Sequence, residues 1–474
     1  MKGTGKLVLF IFNFLNRGAT NVNFEYSDIS TAIEELKDLK FREDVGMLFN
    51  SRTGTIHRIE NELGILIVSL LKQNHDLEYV KKYILNEYDV DEKELNNDLR
   101  EFLFSLTQYQ ENIWEWDIEK KHESLLEFPL RIEIEVTSLC NWNCGFCYNV
   151  WKIDPNLTDA DVKQKIKMLP QKHLSKEKIF KILDECNENG CFTVRYSGGE
   201  TLLHPDIEEI LEYGGKLGLY QVVFTNGHFL DIELAKRLKK YNVGTVLISL
   251  HGDKTVHNAL TGHKMAYQKA IDAIALLAKL NIEVVVELTL VKSNFNGAIN
   301  VMKDSYNNGA RHFSVMRYVP TGKNDDVYGV PIENMMPLME EIDKLQHQYT
   351  DLIVAWPCGQ KMCTSNKDKP LSIDDPTLPL RKRQLSGHCE AGLTWGSVSF
   401  DGRLRHCPHS NVFFGDAVND GIKNIWGAMT QEISNVLKPR QTCMGCSQLE
   451  SCRGGCHLPH FFETKEEQMS GCSS

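Results

Sequence analysis

A chain of 474 residues is long enough for two or three domains, each with its own core. Its 64 acidic against 53 basic residues, a formal net charge of −11, argue against a general footprint for nucleic acid, and 42% hydrophobic residues is ordinary for a soluble globular protein. Fourteen cysteines would suggest disulfides in a secreted protein, but in a large cytosolic one they point to metal or catalytic use.

At the N-terminus Leu7-Val-Leu-Phe-Ile-Phe-Asn-Phe-Leu15, preceded by Lys2 and Lys6, has the outline of a secretory apolar region. Asn13 interrupts it, no small-residue cleavage pattern follows, and it is too short to cross a bilayer. It reads as a strand or short helix of a cytoplasmic protein with no membrane span. Residues 1–110 then form a first module, whose part 41–108 reads as a winged helix. Val45 to Ile59 alternates apolar and polar residues around a Gly-containing turn, the pattern of a hairpin. Three helical faces follow: Leu63, Leu66, Ile67, Leu70 and Leu71; Leu77, Val80, Ile84 and Tyr88; Leu95, Leu99, Phe102, Leu103 and Leu106. Asp91 and Glu94 make a cap and first turn for the third. Acidic residues such as Asp76, Glu87, Asp91, Glu94 and Asp98 outnumber basic ones here, which disfavours phosphate binding.

Residues 111–128, with Trp114 and Trp116, read as a linker that partly docks. From 129 to 322 short apolar strands alternate with amphipathic helices. Strands are predicted at Ile132–Val136, Phe192–Tyr196, Gln221–Thr225, Gly244–Ser249, Glu283–Leu290 and His312–Tyr318. Helices are predicted near Lys176–Asn187, Ile207–Lys216, Ile232–Tyr241, Tyr267–Leu280 and Gly297–Asn308. Six βα repeats imply an α/β protein with a parallel sheet and helices outside. A bridging region, 323–388, leads to a final segment, 389–474.

The chemistry-bearing motifs fall at strand ends, where α/β barrels keep their active sites. Cys140, Cys144 and Cys147 form a CxxxCxxC triplet after the first strand. Cubane iron–sulfur clusters usually take four cysteines, so a triplet leaves one iron open. The competing readings are a zinc knuckle and buried thiols. Zinc closes a structural site with four ligands, and no second Cys pair or paired histidines follow within a knuckle's length. Ser197-Gly-Gly-Glu200 follows the second strand, Thr225-Asn-Gly227 the third, and Ser249-Leu-His251 ends the fourth. Gly198 and Gly199 let backbone come close to a ligand, and Glu200 brings an anion near it. Glycine pairs after strands are also ordinary turns, and a strand-end Ser is also an ordinary cap.

The triplet spacing, Phe146 before its last cysteine, and the Ser197–Glu200 run resemble the radical S-adenosylmethionine (SAM) enzymes. The resemblance implies a partial (β/α)6 barrel in which Cys140, Cys144 and Cys147 bind a [4Fe–4S] cluster, its fourth iron chelating the amino and carboxylate groups of SAM. It further implies that Phe146, Ser197, Gly198, Gly199 and Glu200 belong to the SAM site, the last four around its amino group. Ser249 matches the position that touches the SAM ribose, and Arg317, at the end of the sixth strand, is a candidate partner for the SAM carboxylate. One departure is Thr261-Gly-His263, which stands where many relatives carry Arg-Gly.

Seven of the fourteen cysteines crowd into the last 86 residues. Cys389, Gly402 and Cys407, then Cys443-x2-Cys446-x5-Cys452-x3-Cys456 and Cys472, are similar to the seven-cysteine iron–sulfur extension called SPASM, found on radical SAM enzymes that modify peptides and proteins. By resemblance Cys443, Cys446, Cys452 and Cys472 close one auxiliary [4Fe–4S] cluster and Cys389, Cys407 and Cys456 hold another. Its fourth ligand is open to a substrate thiolate, Cys358 or Cys363. A zinc ribbon from Cys443, Cys446, Cys452 and Cys456 would leave Cys389, Cys407 and Cys472 without a reason. Cys186 and Cys191 read as buried small hydrophobes.

Ahead of such a barrel, the winged-helix module resembles the recognition element that holds the leader segment of a ribosomally made precursor peptide, the leader adding a strand to the hairpin sheet. Together the resemblances imply an enzyme that abstracts hydrogen with a 5′-deoxyadenosyl radical and matures a precursor peptide, with a reductant such as flavodoxin or ferredoxin as partner. A thioether between a peptide cysteine and a carbon, as in sactipeptide maturation, is the expected product. Carbon–carbon crosslinks, ethers, oxidative decarboxylation, epimerisation and sulfatase-type oxidation of a protein Cys or Ser are the alternatives. From a different class comes a metal-responsive winged-helix regulator that binds DNA; it predicts a basic recognition helix, which the acidic module does not offer.

Overall fold

The protein, seen in a computed structural model, is described over residues 28–59, 61–108, 111–112, 126–148, 172–319, 325–330, 332–356 and 389–436. The apolar run at 7–15, Trp114 and Trp116, Cys358, Cys363, and the five cysteines from Cys443 to Cys472 lie outside the described residues. The chain divides into two units, Met1–Trp116 and Asp117–Ser474.

In the first unit β1 (Lys40–Arg42), β2 (Met47–Asn50), β3 (Thr55–Arg58) and β4 (Glu111–Asn112) form an antiparallel sheet in that order. The predicted hairpin is β2–β3, and its turn closes on the Asn50 side chain, which accepts from the amides of Arg52 and Thr53. The three predicted helices are Glu62–Lys72, Leu77–Glu87 and Glu92–Gln108. Each starts on a side-chain cap that satisfies an otherwise orphaned amide: Asn61 for Gly64 at 2.6 Å, Asp76 for Tyr79 at 2.7 Å, and Asp91 for Lys93 and Glu94 at 2.9 and 3.0 Å. Their apolar faces meet in one core of Leu63, Ile67, Val80, Ile84, Leu95, Leu99, Phe102 and Leu103, closed by Leu48 and by Leu36 of a further helix, Asp28–Asp38. Burying each such side chain favours the fold by about 1.5–3 kcal/mol.

The second unit is built on β5 (Arg131–Thr137), β6 (Thr193–Gly198), β7 (Tyr220–Thr225), β8 (Val243–Ser249), β9 (Glu283–Leu290) and β10 (His312–Arg317), each parallel to the next. Helices Lys176–Glu188, Ile207–Lys216, Ile232–Lys240, Ala266–Lys279 and Ala298–Asn307 fill the crossovers. Beyond β10 lies β11 (Ile353–Ala355), also parallel. On the other edge β12 (Trp395–Val398) runs parallel to β5, continued by β13 (Arg403–Arg405) and β14 (Gly415–Asp416) in antiparallel order. The segment that begins at Cys389 is thus stitched into the same sheet as the cysteine triplet.

Alternate residues of each strand face opposite ways. Ile132, Ile134 and Val136 of β5, Val194 and Tyr196 of β6, and Val284, Val286 and Leu288 of β9 pack with Ile179, Ile182, Leu183, Ile210, Leu211, Ile274 and Leu277 of the helices. The opposite faces carry Arg131, Glu133, Glu135, Arg195, Ser197 and Glu287. On a flat sheet β5 and β9 would stand roughly 19 Å apart, four strand spacings. Glu287 nonetheless feels the charges of Glu133 and Arg195, so the sheet is curled and these side chains share its interior.

Candidate active site

Past β5, the chain turns into the loop that carries the triplet. Cys140 is exposed, Cys144 and Cys147 are half-buried, and none forms a disulfide. The loop is held by its main chain from two sides. On the β6 side, Gly199 and Glu200 donate their amides to the carbonyls of Thr137 and Leu139, both at 2.7 Å. Gly198 has φ +131, and a Cβ on it would collide with the Thr137 carbonyl oxygen; one on Gly199 would collide with that of Leu139. Both glycines are therefore required for this backbone-on-backbone approach.

Glu200 is buried and its carboxylate is fully engaged, accepting from Asn226 N at 2.8 Å, Thr225 Oγ1 at 2.6 Å and Leu202 N at 3.1 Å. Burial raises its pKa above the ordinary carboxylate value, against the pull of those donors. Asn226 in turn donates through Nδ2 to Asn141 Oδ1 at 2.8 Å, so Glu200, the Thr225–Gly227 turn and the cysteine loop form one hydrogen-bonded chain. Ser197 donates instead to the interior carboxylate of Glu133 at 2.7 Å.

On the β8 side, the helix Lys254–Thr261 ends against the loop: Asn143 donates to Thr261 O at 2.9 Å and Gly145 to Leu260 O at 3.2 Å. Gly262, at φ +64, terminates that helix, and His263 stacks on Trp142 with centroids 6.0 Å apart. The Thr261-Gly-His263 departure thus falls where the chain braces the cysteine loop. Phe146 meets His251 edge-on at 4.9 Å and faces Tyr328 at 6.2 Å, whose hydroxyl occupies the space that a Cβ at Gly145 would need. The backbone amides of His251 and Thr289 donate to Nδ1 of His257 and His251 respectively, which assigns the ring proton to Nε2 in both. Burial holds His251 well below its usual range and His257 at about 4, so both imidazoles are neutral at pH 7.

Ser249 is half-buried at the end of β8, in register with Glu287 of β9. Arg317 ends β10, with its Nε buried and lacking a hydrogen-bond partner. Cys389 and Cys407 are half-buried and flank β12 and β13. Cys407 Sγ accepts from the His409 amide at 3.5 Å, and the His409 ring packs on Tyr148 with centroids 4.2 Å apart. Since Tyr148 follows Cys147, one ring pair links the turn at Cys407 to the triplet loop. Arg405, fully buried, ion-pairs with Glu135 of β5 and donates to Ser410 O at 3.0 Å. Cys186 and Cys191 are buried in the helix–sheet core, as expected.

Among the described residues no three His, Cys, Asp or Glu side chains close round a single metal-sized point; the triplet is gathered on one loop. Three thiols gathered on one loop fit an iron–sulfur cluster with one open iron; Arg317 is in register with Leu290, on the row that includes Phe313 and Val315 of the helix-facing core. Sequence reasoning missed Asn141, Trp142, His257, Tyr328 and the charged interior. A signal for the interior was present in Arg131-Ile-Glu-Ile-Glu-Val136, whose polar residues recur with period two.

Residues 134–303 match the model of the Radical SAM superfamily. The AdoMet-dependent heme synthase of Methanosarcina barkeri is 23% identical over 332 residues, covering 69% of this chain and 90% of that protein. The antilisterial bacteriocin subtilosin biosynthesis protein AlbA of Bacillus subtilis is 25% identical over 358 residues, covering 73% and 71%. Among solved structures, Streptococcus suis SuiB bound to precursor peptide SuiA superposes with a TM-score of 0.68 at 20% identity, over 92% of this chain and 98% of that one. No described helix is long and apolar enough to cross a membrane. The superfamily match gives residues 134–303, the strands that carry the cysteine loop, a Radical SAM domain, and the likeness in fold runs along almost the whole chain: an α/β partial barrel preceded by a small sheet module.

Proposed function

We propose that this enzyme matures a ribosomally made precursor peptide by joining a peptide cysteine sulfur to a carbon of another residue. The observation that carries the reading is the tie between the triplet loop and the Cys407 turn, where Tyr148 and His409 pack at 4.2 Å. On this reading the two loops it joins would each hold an iron–sulfur group, one suited to starting a radical reaction and one to accepting an electron from it. When bound at Cys140, Cys144 and Cys147, a [4Fe–4S] cluster with SAM supplies a 5′-deoxyadenosyl radical able to take hydrogen from an unactivated carbon.

The chain's own residues do the positioning. Gly198, Gly199 and Glu200 fix the loop's main chain, Phe146 and His251 wall the site with neutral rings, and Ser249 and Arg317 offer a hydroxyl and a cation to the ribose and carboxylate of SAM. Cys389, Cys407 and Cys456 hold one auxiliary cluster, open to a substrate thiolate or to Cys358 or Cys363, and Cys443, Cys446, Cys452 and Cys472 hold the other. The four-stranded sheet, with β1 and β4 at its edges, suits addition of a leader strand. Relatives named for bacteriocin biosynthesis and mycofactocin maturation, and the fold likeness to a protein solved with its precursor peptide, support the same substrate class.

The test is to read the open reading frames beside the gene for a short Cys-containing peptide and to coexpress that peptide with the enzyme. A loss of two hydrogens per bridge, with the cysteine no longer alkylated, supports a thioether. The same loss with a reactive thiol indicates a carbon–carbon link, and an unchanged mass contradicts crosslinking. Removing residues 1–110 should abolish modification of the peptide; full retention would favour sulfatase-type protein oxidation.

A further inference from the structure

Joining two peptide atoms at the expense of two hydrogens requires three acceptors. One hydrogen leaves as an atom, to the deoxyadenosyl radical. The other leaves as an electron, to an oxidised iron–sulfur cluster, and a proton, to a base. For a thioether the carbon radical and the thiol combine as the C–S bond forms, the S–H bond breaks, and the proton departs. For a carbon–carbon link the proton comes from the second carbon instead. None of the residues proposed to hold SAM or the clusters supplies that base.

The interior of the curled sheet offers few groups able to take a proton, and most are engaged. His251 and His257 each accept an amide on Nδ1 and carry their proton on Nε2, so neither has a lone pair to spare. Glu200 is sealed by three donors. Glu133 accepts from Ser197, and Glu135 is ion-paired with Arg405. Glu287 differs. Among the described residues no hydrogen-bond donor reaches its carboxylate, it is half-buried on the interior face of β9, and it lies in register between Ser249 of β8 and Ser314 of β10.

We propose that Glu287 is the base that takes the proton released when the substrate bond forms, a role that rests on the crosslinking reading above. The groups facing it are Glu133 from β5 and Arg195 from β6, with the two serines from β8 and β10. Burial, reinforced by Glu133 and opposed by Arg195, pushes its carboxyl up to about 7. At neutral pH it is therefore divided between the form that accepts a proton and the form that returns one to solvent.

The test compares the full-length, cluster-loaded wild type and Glu287→Gln on the Cys-containing peptide identified by the coexpression test above, measuring product and deoxyadenosine together. Loss of a general base should lower crosslinked product at least ~100-fold, raise the ratio of deoxyadenosine to product, and be partly reversed in Glu287→Asp. Product and deoxyadenosine falling by the same factor, or product unchanged, overturns the assignment. A second readout needs no cluster: infrared titration of the protein between pH 5 and 9 should lose one carboxylic acid band in Glu287→Gln, and an unaltered titration also overturns it. If the wild type makes no product, the crosslinking reading has failed, and the infrared titration decides on Glu287 alone.

Discussion

The two faces of the curled sheet obey different rules. Toward the helices, β5 presents Ile132, Ile134 and Val136 to an unbroken apolar core. Toward the interior, the same strand presents Arg131, Glu133 and Glu135, and other strands answer with Arg195 and Glu287, and with Arg405 from the segment that follows Cys389. The outer face supplies cohesion, because apolar burial is additive and undemanding of geometry. The inner face supplies chemistry at a cost in stability, because buried charges need partners. The cysteine loop leaves the end of this strand and is held by main-chain bonds to the segment after β6 and to the helix Lys254–Thr261.

The largest expected effect separates the loop from both faces. Cys147→Ala should abolish assembly of the SAM-binding cluster, read as loss of its SAM-dependent electron paramagnetic resonance signal, while the thermal transition of the cluster-free protein stays within a few degrees of wild type. Next, Ile134→Ala on the helix-facing side should cost about 2–5 kcal/mol in denaturant unfolding, the range for large-to-small core changes. It should leave the stoichiometry of iron per folded molecule unaltered.

The interior face should reveal itself through pH. Glu287, raised to about 7 in the folded protein, binds its proton more tightly folded than unfolded, so its contribution to stability diminishes as pH rises from about 4.5 through 7. Glu287→Gln should therefore melt progressively higher relative to wild type between pH 5 and pH 8. His257 runs the other way: lowered to about 4, its contribution is present above 6.5 and is lost as pH falls through 4. A Glu287→Gln difference that does not vary with pH would show that the interior is open to water. The smallest effect belongs to neither face. Gly427, inside the helix Ile422–Val436, has open space where a Cβ would go, so Gly427→Ala should stabilise by up to about 1 kcal/mol.

What could be read from sequence followed the same division. The helix-facing pattern is local, and so the six parallel strands were placed to within one or two residues, β9 at both ends. The three helices of the first unit were likewise legible from their apolar spacing and from Asp91. Other features depend on contacts between distant residues. β4 is two residues long and exists only by pairing with Thr55 and Ile56, and β12 joins β5 across more than two hundred residues. The packing of Tyr148 on His409 and the pairing of Arg405 with Glu135 leave no local trace either. Of the candidate site, the triplet and the Gly198–Glu200 run were plain. Glu200's engagement with Thr225 and Asn226, and the bracing role of Thr261–His263, needed the fold.

The central claim is tested most directly by reconstituting the protein anaerobically with iron and sulfide, adding SAM and dithionite, and measuring 5′-deoxyadenosine. The account predicts its release by wild type and none by Cys147→Ala; protein that takes up only zinc, or that holds an iron–sulfur cluster yet releases no deoxyadenosine, would contradict it.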